Sequence, residues 1–267
     1  MVEKPVRGGV AVLLVLLVLA YAGVLLIAPI TALVQQTFSD GLQPVLESIT
    51  APDALEALRL TIIIALAAAA INTLAGILVA WVLVRHDFPG RGFLNGLVEL
   101  PFVMSPVIVG YVVIVLFGRE GWFRDLPLAF TPGAMLLVTV FVSLPFVIRE
   151  VMPVLRTMTP EQEEAAFTLG ASRLLTFRRI VFPAIGPAVI YGVVLTLARA
   201  LGEFGAAAVA GGGVQGYTEN ATIYIFRSIH DRNDTGAYSM AILLGIIAIV
   251  VLVAMNALKQ YQHKRSQ

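Results

Sequence analysis

Thr159-Pro160-Glu161-Gln162-Glu163-Glu164-Ala165-Ala166-Phe167-Thr168-Leu169-Gly170 opens a polar stretch that runs on through Ser172 and Arg173 to Ile180-Val181-Phe182-Pro183, with strongly apolar sequence on either side. Its chemistry is local. Thr159 is a capping residue, Pro160 suits the first helical position, and Gln162 completes a capping box. Glu161, Glu163 and Glu164 crowd the first turn, where the helix dipole favours negative charge. Gly170 readily takes the left-handed conformation that ends a helix, so the spacing predicts a helix of about ten residues. Ser172 then caps a second helix with Leu174, Phe177 and Val181 as its apolar stripe. Pro183 is expected to break that helix before apolar sequence resumes. The expectation is a helix–glycine–helix elbow. Ala165 and Ala166 leave room for close docking, and Phe167 and Leu169 have no span to bury in.

Such an elbow either lies on a membrane surface or meets a protein. Surface-bound helices favour Lys and Arg on the polar face. Three glutamates favour a protein partner.

The flanking sequence sets the class. The chain is 58% hydrophobic and 13% charged, with mean hydropathy +0.89; a soluble domain carries about 25% charge. Uncharged apolar runs cover Val10–Val34, Leu60–Val84, Leu100–Gly118, Leu126–Ile148, Val181–Ala198 and Ala237–Leu258. Each is long enough to cross a bilayer, which needs roughly 17–25 residues, and each must be helical because lipid cannot satisfy an open backbone. The first run exceeds the usual ~7–15-residue signal-peptide core and no A-x-A site follows it, so it reads as a retained span. Pro101, Pro106, Pro145 and Gly186-Pro187 interrupt later runs, as ordinary membrane prolines or as parts of a moving pore. The absence of cysteine excludes disulfides and thiolate metal sites. His86, His230 and His263 lie far apart, so neither metal nor cofactor is expected, and a net charge of +1 implies no nucleic-acid partner.

Lys and Arg orient the spans. Lys4, Arg7, Arg85, Arg91, Arg149, Arg156, Arg173, Arg178, Arg179, Lys259, Lys264 and Arg265 fall on the side of the termini and the elbow. Arg59, Arg119, Arg124, Arg199, Arg227 and Arg232 fall on the other, twelve against six. Positive charge marks the cytoplasmic side. Both termini and the elbow are therefore expected in the cytoplasm, and the 35–59 loop outside.

The segment Glu164-Ala-Ala-x3-Gly170-x9-Ile180-x-Phe182-Pro183 resembles the EAA loop of ATP-binding-cassette importer permeases, with Phe182 where leucine is commoner. Leu100-Pro-Phe-Val-Met-Ser105-Pro106-Val-Ile-Val-Gly110, Leu144-Pro-Phe-Val-Ile-Arg149-Glu150-Val-Met-Pro153 and Arg199-Ala-Leu-Gly-Glu203-Phe-Gly205 look like the sulfate/molybdate branch. Arg149-Glu150 and the six-span length are most similar to the W-type subunit of the bacterial sulfate/thiosulfate importer. The resemblance covers about residues 57–258; residues 1–56 read as a generic first span and outer loop, and 259–267 as a tail.

The resemblance implies an all-α membrane protein of six helices with the type I importer (MetI-like) fold. It also implies a coupling helix at about 160–170 that seats on a cytoplasmic ATPase through Glu161, Glu163, Glu164, Ala165, Ala166, Phe167, Leu169 and Gly170. The implied partners are a second, different permease, two ATPase subunits and an extracytoplasmic sulfate-binding protein. Molybdate or tungstate import by a homodimer is the alternative. The chain has no G-x-x-x-x-G-K-[ST], so no nucleotide site of its own is expected, and it is read as a non-catalytic subunit. A membrane enzyme lacks its motifs here, and a secondary transporter lacks inverted repeats.

Along the translocation path Ser105, Pro106, Arg199, Glu203 and Thr222 are the candidates. Arg199 and Glu203 are four apart on the fifth run, so they are expected to share a helix face. They form either a gate or a salt bridge that only fixes the helix end. Gly211-Gly212-Gly213 is expected to end that span. Gln215, Thr218, Asn220, Thr222 and Ser228 then offer neutral donors to an oxyanion, or lie in a plain polar loop.

Overall fold

The computed structural model describes residues 8–265; Lys4 and Arg7 of the charge count and the last two residues of the tail lie outside them, as do the side chains of Lys259, Lys264 and Arg265. The described residues form helices joined by turns, with no strand among them.

The first apolar run forms α1 (Gly8–Ala22), a π turn (Gly23–Ile27) and α2 (Ala28–Thr37), which together are long enough to cross a membrane. A short helix, α3 (Leu42–Thr50), occupies the expected outer loop. α4 (Pro52–Arg85) starts earlier than the apolar run suggests, with Pro52 in its first turn followed by Asp53. Arg59 is therefore helical.

The third run departs most from expectation. It is a pair, α5 (Arg91–Val103) and α6 (Pro106–Phe117), bent by 113° at Met104-Ser105. Pro106 has no N–H to continue α5 and disfavours helical backbone at Ser105, which is extended at φ −62°, ψ 134°. Pro101, inside α5, does not break it.

α7 (Pro132–Thr157) begins after a turn, where the Thr131 hydroxyl accepts from the Ala134 N–H at 3.3 Å. It carries Arg149 within the helix, so the polar stretch from Arg149 to Ile180 is helical except at 158–159 and 169–172. α8 (Pro160–Thr168), α9 (Arg173–Thr176), a second π turn (Phe177–Val181) and α10 (Phe182–Leu201) follow.

Pro183 does not break the chain: Arg173–Leu201 is one helical span of 29 residues. The π turn explains this, because its wider ring bonds the Phe182 N–H to the Phe177 carbonyl and accommodates the proline that follows. The same shift in register changes the expected stripe. Val181 is buried and Phe177 half-buried, but Leu174 is exposed.

The fifth span also ends early. α10 stops at Leu201, and a separate short helix, α11 (Gly205–Gly211), precedes the glycine run. α12 (Ala221–His230) occupies the expected polar loop, and α13 (Asp234–Arg265) is the last span, running without a break past residue 258.

Two contacts fix the topology. Arg85 closes α4 and meets Glu163 just beyond α7, so α4 and α7 finish at the same end of the bundle. Asp53 opens α4 and meets Arg227 of α12, beyond the far end of α10, so α10 runs the opposite way. The chain between α4 and α7 must recross the full depth, and the bent α5–α6 pair does so. Among the described residues, five helices are long and apolar enough to cross a membrane, and the bent pair makes a sixth span.

α7 is the centre, packed between α4 and α10. A Cβ added at Gly76 of α4 would stand 2.7 Å from Val147 Cβ, and one at Gly192 of α10 2.7 Å from Val147 Cα. Helices in lipid pack by such close backbone approach rather than by a hydrophobic drive between them.

Candidate functional site

Two places depart from regular helix: the elbow at one end of the bundle, and a break near the other.

At the elbow, α8 ends in a Schellman turn. Gly170 has φ +81°, its N–H bonds the Phe167 carbonyl at 2.9 Å, and the Ala171 N–H bonds the Ala166 carbonyl at 3.0 Å. Ser172 caps α9 by accepting from the Leu175 N–H at 3.3 Å. The start of α8 differs from the expected capping box. Thr159 makes no side-chain cap bond, and its hydroxyl bonds the Glu161 carboxylate instead. That carboxylate accepts first from its own backbone N–H and second from Thr159, which holds its pKa below the ordinary glutamate value.

The three acids part company. Glu161 and Glu164 are exposed, but Glu163 turns inward onto Arg85, with Nη2 to Oε1 at 2.7 Å. Ala165 and Phe167 are exposed, Leu169 is 89% exposed, and Ala166 is half-buried. Of the eight expected coupling residues, the structure gathers all on one short helix and its cap, and gives all but Glu163 and Ala166 an open surface.

The break lies between α10 and α11, at Gly202-Glu203-Phe204. Glu203 is 2% exposed, and its carboxylate does two jobs. Oε2 pairs with Arg199 Nη1 at 2.7 Å, and Oε1 accepts from the Ala206 N–H at 3.0 Å in the first turn of α11. The expected pairing holds, although Glu203 stands outside α10 rather than on its face. The Glu203 carbonyl, which no helix continues to satisfy, accepts from Asn220 Nδ2 at 2.9 Å and from the Thr222 hydroxyl at 2.7 Å. Asn220 Oδ1 in turn accepts from the Ile223 N–H at 2.9 Å, capping α12. Thr61 of α4 accepts from the Ala221 N–H at 2.8 Å. Thr218 donates to the Gly211 carbonyl at 2.7 Å. Thr218, Asn220 and Thr222 thus spend their polar atoms on the chain itself, and the segment carrying them is no plain loop.

The two broken spans touch. A Cβ at Gly205 would lie 3.5 Å from Pro106 Cβ and 3.4 Å from Val107 Cγ2, and one at Gly110 2.9 Å from the Ala206 carbonyl oxygen. Pro106, Glu203 and Thr222 are gathered around one break, Arg199 is attached through Glu203, and Ser105 adjoins Pro106 with an exposed side chain. Among the described residues, no group of acids and histidines is placed to hold a metal.

Four features escaped the sequence. Arg85 was read only as a flanking charge, and its partner is 78 residues away. Asn220 was read as a free donor. Arg149 pairs with Glu99 of α5, and its guanidinium lies 4.6 Å from the Phe102 ring centroid. Arg227 gathers Glu219 at 2.6 Å, Asp53 at 3.1 Å and Asp231 at 3.4 Å. The Glu219 hydrogen bond is the main reason the Arg227 pKa is raised. The bonds of Arg85 to Glu163, Arg149 to Glu99 and Arg227 to Asp53 have no local signal, because each partner belongs to another element, whereas the Asn220 cap and the Arg227–Asp231 pair four residues apart are local patterns.

Residues 72–267 match the family model described as the binding-protein-dependent transport system inner membrane component. The chain is 40% identical over 273 residues to the sulfate transport system permease protein CysW of Escherichia coli K12, covering 99% of this chain and 94% of that one. It is 34% identical over 247 residues to the CysT protein of the same organism, covering 90% and 89%. A crystal structure of a bacterial ABC transporter that imports the acidic polysaccharide alginate superposes with a TM-score of 0.77 at 18% identity, covering 96% of each chain.

Proposed function

The chain belongs to the family of binding-protein-dependent transport system inner membrane components, the permeases of ATP-binding-cassette importers, and from that membership we propose that it is the W-type permease subunit of an ATP-driven sulfate/thiosulfate importer in the bacterial inner membrane. The observation that carries the coupling role is the elbow. A short helix with exposed Glu161, Glu164, Phe167 and Leu169 stands clear of the bundle on a left-handed glycine hinge. The sequence carries no G-x-x-x-x-G-K-[ST], and this surface is the seat for a separate ATPase subunit, with Glu161, Glu164, Ala165, Ala166, Phe167, Leu169 and Gly170 forming it and Glu163 beneath.

Identity to CysW exceeds identity to CysT, and both come from one organism. That pattern supports a heterodimeric pore of this chain with a CysT-like second permease. Two ATPase subunits and an extracytoplasmic sulfate-binding protein complete the complex. The twelve-to-six distribution of Lys and Arg supports a cytoplasmic elbow and cytoplasmic termini. The path runs beside the paired breaks. Glu203 and Thr222 hold the backbone open there, and Pro106 fixes the bend. Ser105 and Arg199 present polar groups toward a bound anion, since half-helix ends and ionisable side chains at membrane depth mark transport sites. ATP-driven closure of the two ATPase subunits brings the coupling helices together and switches the pore between outward- and inward-open forms.

The test is reconstitution with the CysT-like permease, the ATPase and the binding protein in liposomes. Uptake of radiolabelled sulfate requires ATP and every component, and thiosulfate competes with it. Uptake without ATP sinks the importer reading. Competition by molybdate at concentrations equal to sulfate replaces sulfate with the molybdate alternative. The chain has no native cysteine, so a single cysteine at Leu169 reports sidedness, and labelling from the cytoplasmic face alone is the expected result.

A further inference from the structure

Among the described residues, α8 is tied to the bundle by the chain at each end and by one side-chain ion pair. The peptide link from α7 passes through Thr159, which makes no cap bond, and the link to α9 passes through left-handed Gly170. Both are hinges. The third tie is Glu163 to Arg85, at 2.7 Å, with side chains only 13% and 16% exposed.

Arg85 is a junction. It is the last residue of α4. Its Nη1 donates to the Met158 carbonyl, just past the end of α7, at 3.4 Å. Its guanidinium carbon lies 5.9 Å from the Trp81 ring centroid. Trp81 meets Phe177 edge-on at 5.7 Å, in the π turn that leads into α10. One guanidinium thus touches α8 and the end of α7, and reaches the root of α10 through one tryptophan, while belonging to α4. Of these, α4, α7 and α10 are the helices that meet at Val147.

The pair is also an unusual choice for a mere tie. Arg85 Nε is buried without a hydrogen-bond partner, and a buried ion pair can often be replaced by apolar side chains at no loss of stability. What an apolar pair lacks is direction. A charge-assisted bond holds one geometry, so displacement of α8 is passed on rather than absorbed by sliding.

We infer that Arg85–Glu163 is a transmission strap: Arg85 is a positioning residue that carries the movement of α8 to α4, and Glu163 faces the bundle rather than the ATPase. This rests on the importer reading above. It adds that the force enters at the second span, directly, and not only along the chain through α7 and α10.

The experiment uses the full reconstituted complex and reads sulfate transported per ATP hydrolysed. In Arg85→Met the ATPase still copurifies and still hydrolyses ATP, but the transport ratio falls by about fivefold or more, the lower end of ordinary coupling energies. Glu163→Arg alone is at least as defective. The exchanged pair, Arg85→Glu with Glu163→Arg, recovers most of the ratio. A wild-type ratio in Arg85→Met overturns the strap. So does loss of ATPase binding in Glu163→Arg that the exchange does not rescue, since Glu163 would then belong to the docking face. Failure of the wild-type complex to take up sulfate is a different result and counts against the importer reading. In that case hydrogen exchange at α8 in the complex still decides the tie, with faster exchange in Arg85→Met, restoration in the exchanged pair, and unchanged exchange as the overturning result.

Discussion

The elbow and the break both interrupt helices, yet they are built in opposite ways. At the elbow the caps that form close within a few residues: Gly170 to Phe167, Ala171 to Ala166, Leu175 to Ser172. The side chains are left over, and Glu161, Glu164, Phe167 and Leu169 project outward. At the break little is left over. Glu203, Thr218 and Asn220 are buried, and their partners come from 17 residues away in the case of Asn220 and 160 in the case of Thr61 with Ala221. The difference follows from the surroundings. A helix end in water can leave groups to the solvent, but interrupted backbone inside an apolar bundle has to find every partner within the protein.

The sharpest way to break this comparison is to remove Glu203. Glu203→Ala leaves Arg199 unpaired and the Ala206 N–H without its acceptor. Arg199 is 31% exposed, so water offsets part of the loss. A cost of about 2–3 kcal/mol follows, below the full value for a buried pair. The melting midpoint of the purified protein falls by roughly 5–10 °C. Glu203→Gln keeps an acceptor for Ala206 and falls between. A melting curve unchanged by Glu203→Ala means the break is not held as described.

The same contrast explains what the sequence disclosed. Six apolar runs are legible because a bilayer demands them, and the Gly170 and Ser172 caps are legible because their partners are neighbours. Hydropathy is blind to the bend at Ser105, since both sides of it are equally apolar. It is blind likewise to the end of α10 at Leu201, three residues past the apolar run, and to the short α11 that follows. Pro183 misled because its effect depends on the turn before it, and a π turn has no local signature. Thr159 misled because two acceptor–donor schemes compete there and the Glu161 carboxylate lies nearer in the chain than the Gln162 N–H. Glu163 carries the same residue type as Glu161 and Glu164, and only Arg85, from another span, tells them apart.

Gly170 tests the elbow. Open space surrounds a Cβ added there, so only the backbone conformation resists substitution. A β-branched residue in the left-handed region costs about 1–2 kcal/mol. Gly170→Val therefore lowers ATP-driven uptake by about fivefold to thirtyfold if that cost falls on the working geometry of α8. Gly170→Asn, which tolerates the conformation, keeps most of it. Equal loss in both variants points to a steric contact with the partner in place of a hinge.

Thr222→Val is milder. It removes one donor from the Glu203 carbonyl and leaves Asn220 in place, so the protein loses about 1 kcal/mol. If Glu203 and Thr222 support one backbone segment, the two substitutions together cost less than the sum of each, because the first already loosens what the second held. Strict additivity in thermal melts separates them into independent contacts.

Glu161 gives the smallest effect and the clearest sign. Its carboxylate is fully exposed, and its pKa is lowered by its own backbone N–H first and by Thr159 second. A group whose folded pKa is depressed contributes stability that is present above the unfolded value and is lost as pH falls through the folded one. The start of α8 should therefore loosen only below the ordinary glutamate value of 4.5. Hydrogen exchange at the first amides of α8, normalised to an unstructured peptide, reads this directly as pH is lowered. Glu161→Gln removes the pH dependence and leaves Gly170, Ser172 and the Arg85–Glu163 pair untouched. The effect is confined to α8, because nothing in the bundle depends on Glu161. That isolation is what an exposed elbow predicts and a buried break does not, and a loosening that spread from Glu161 into α4 or α10 would erase the distinction between them.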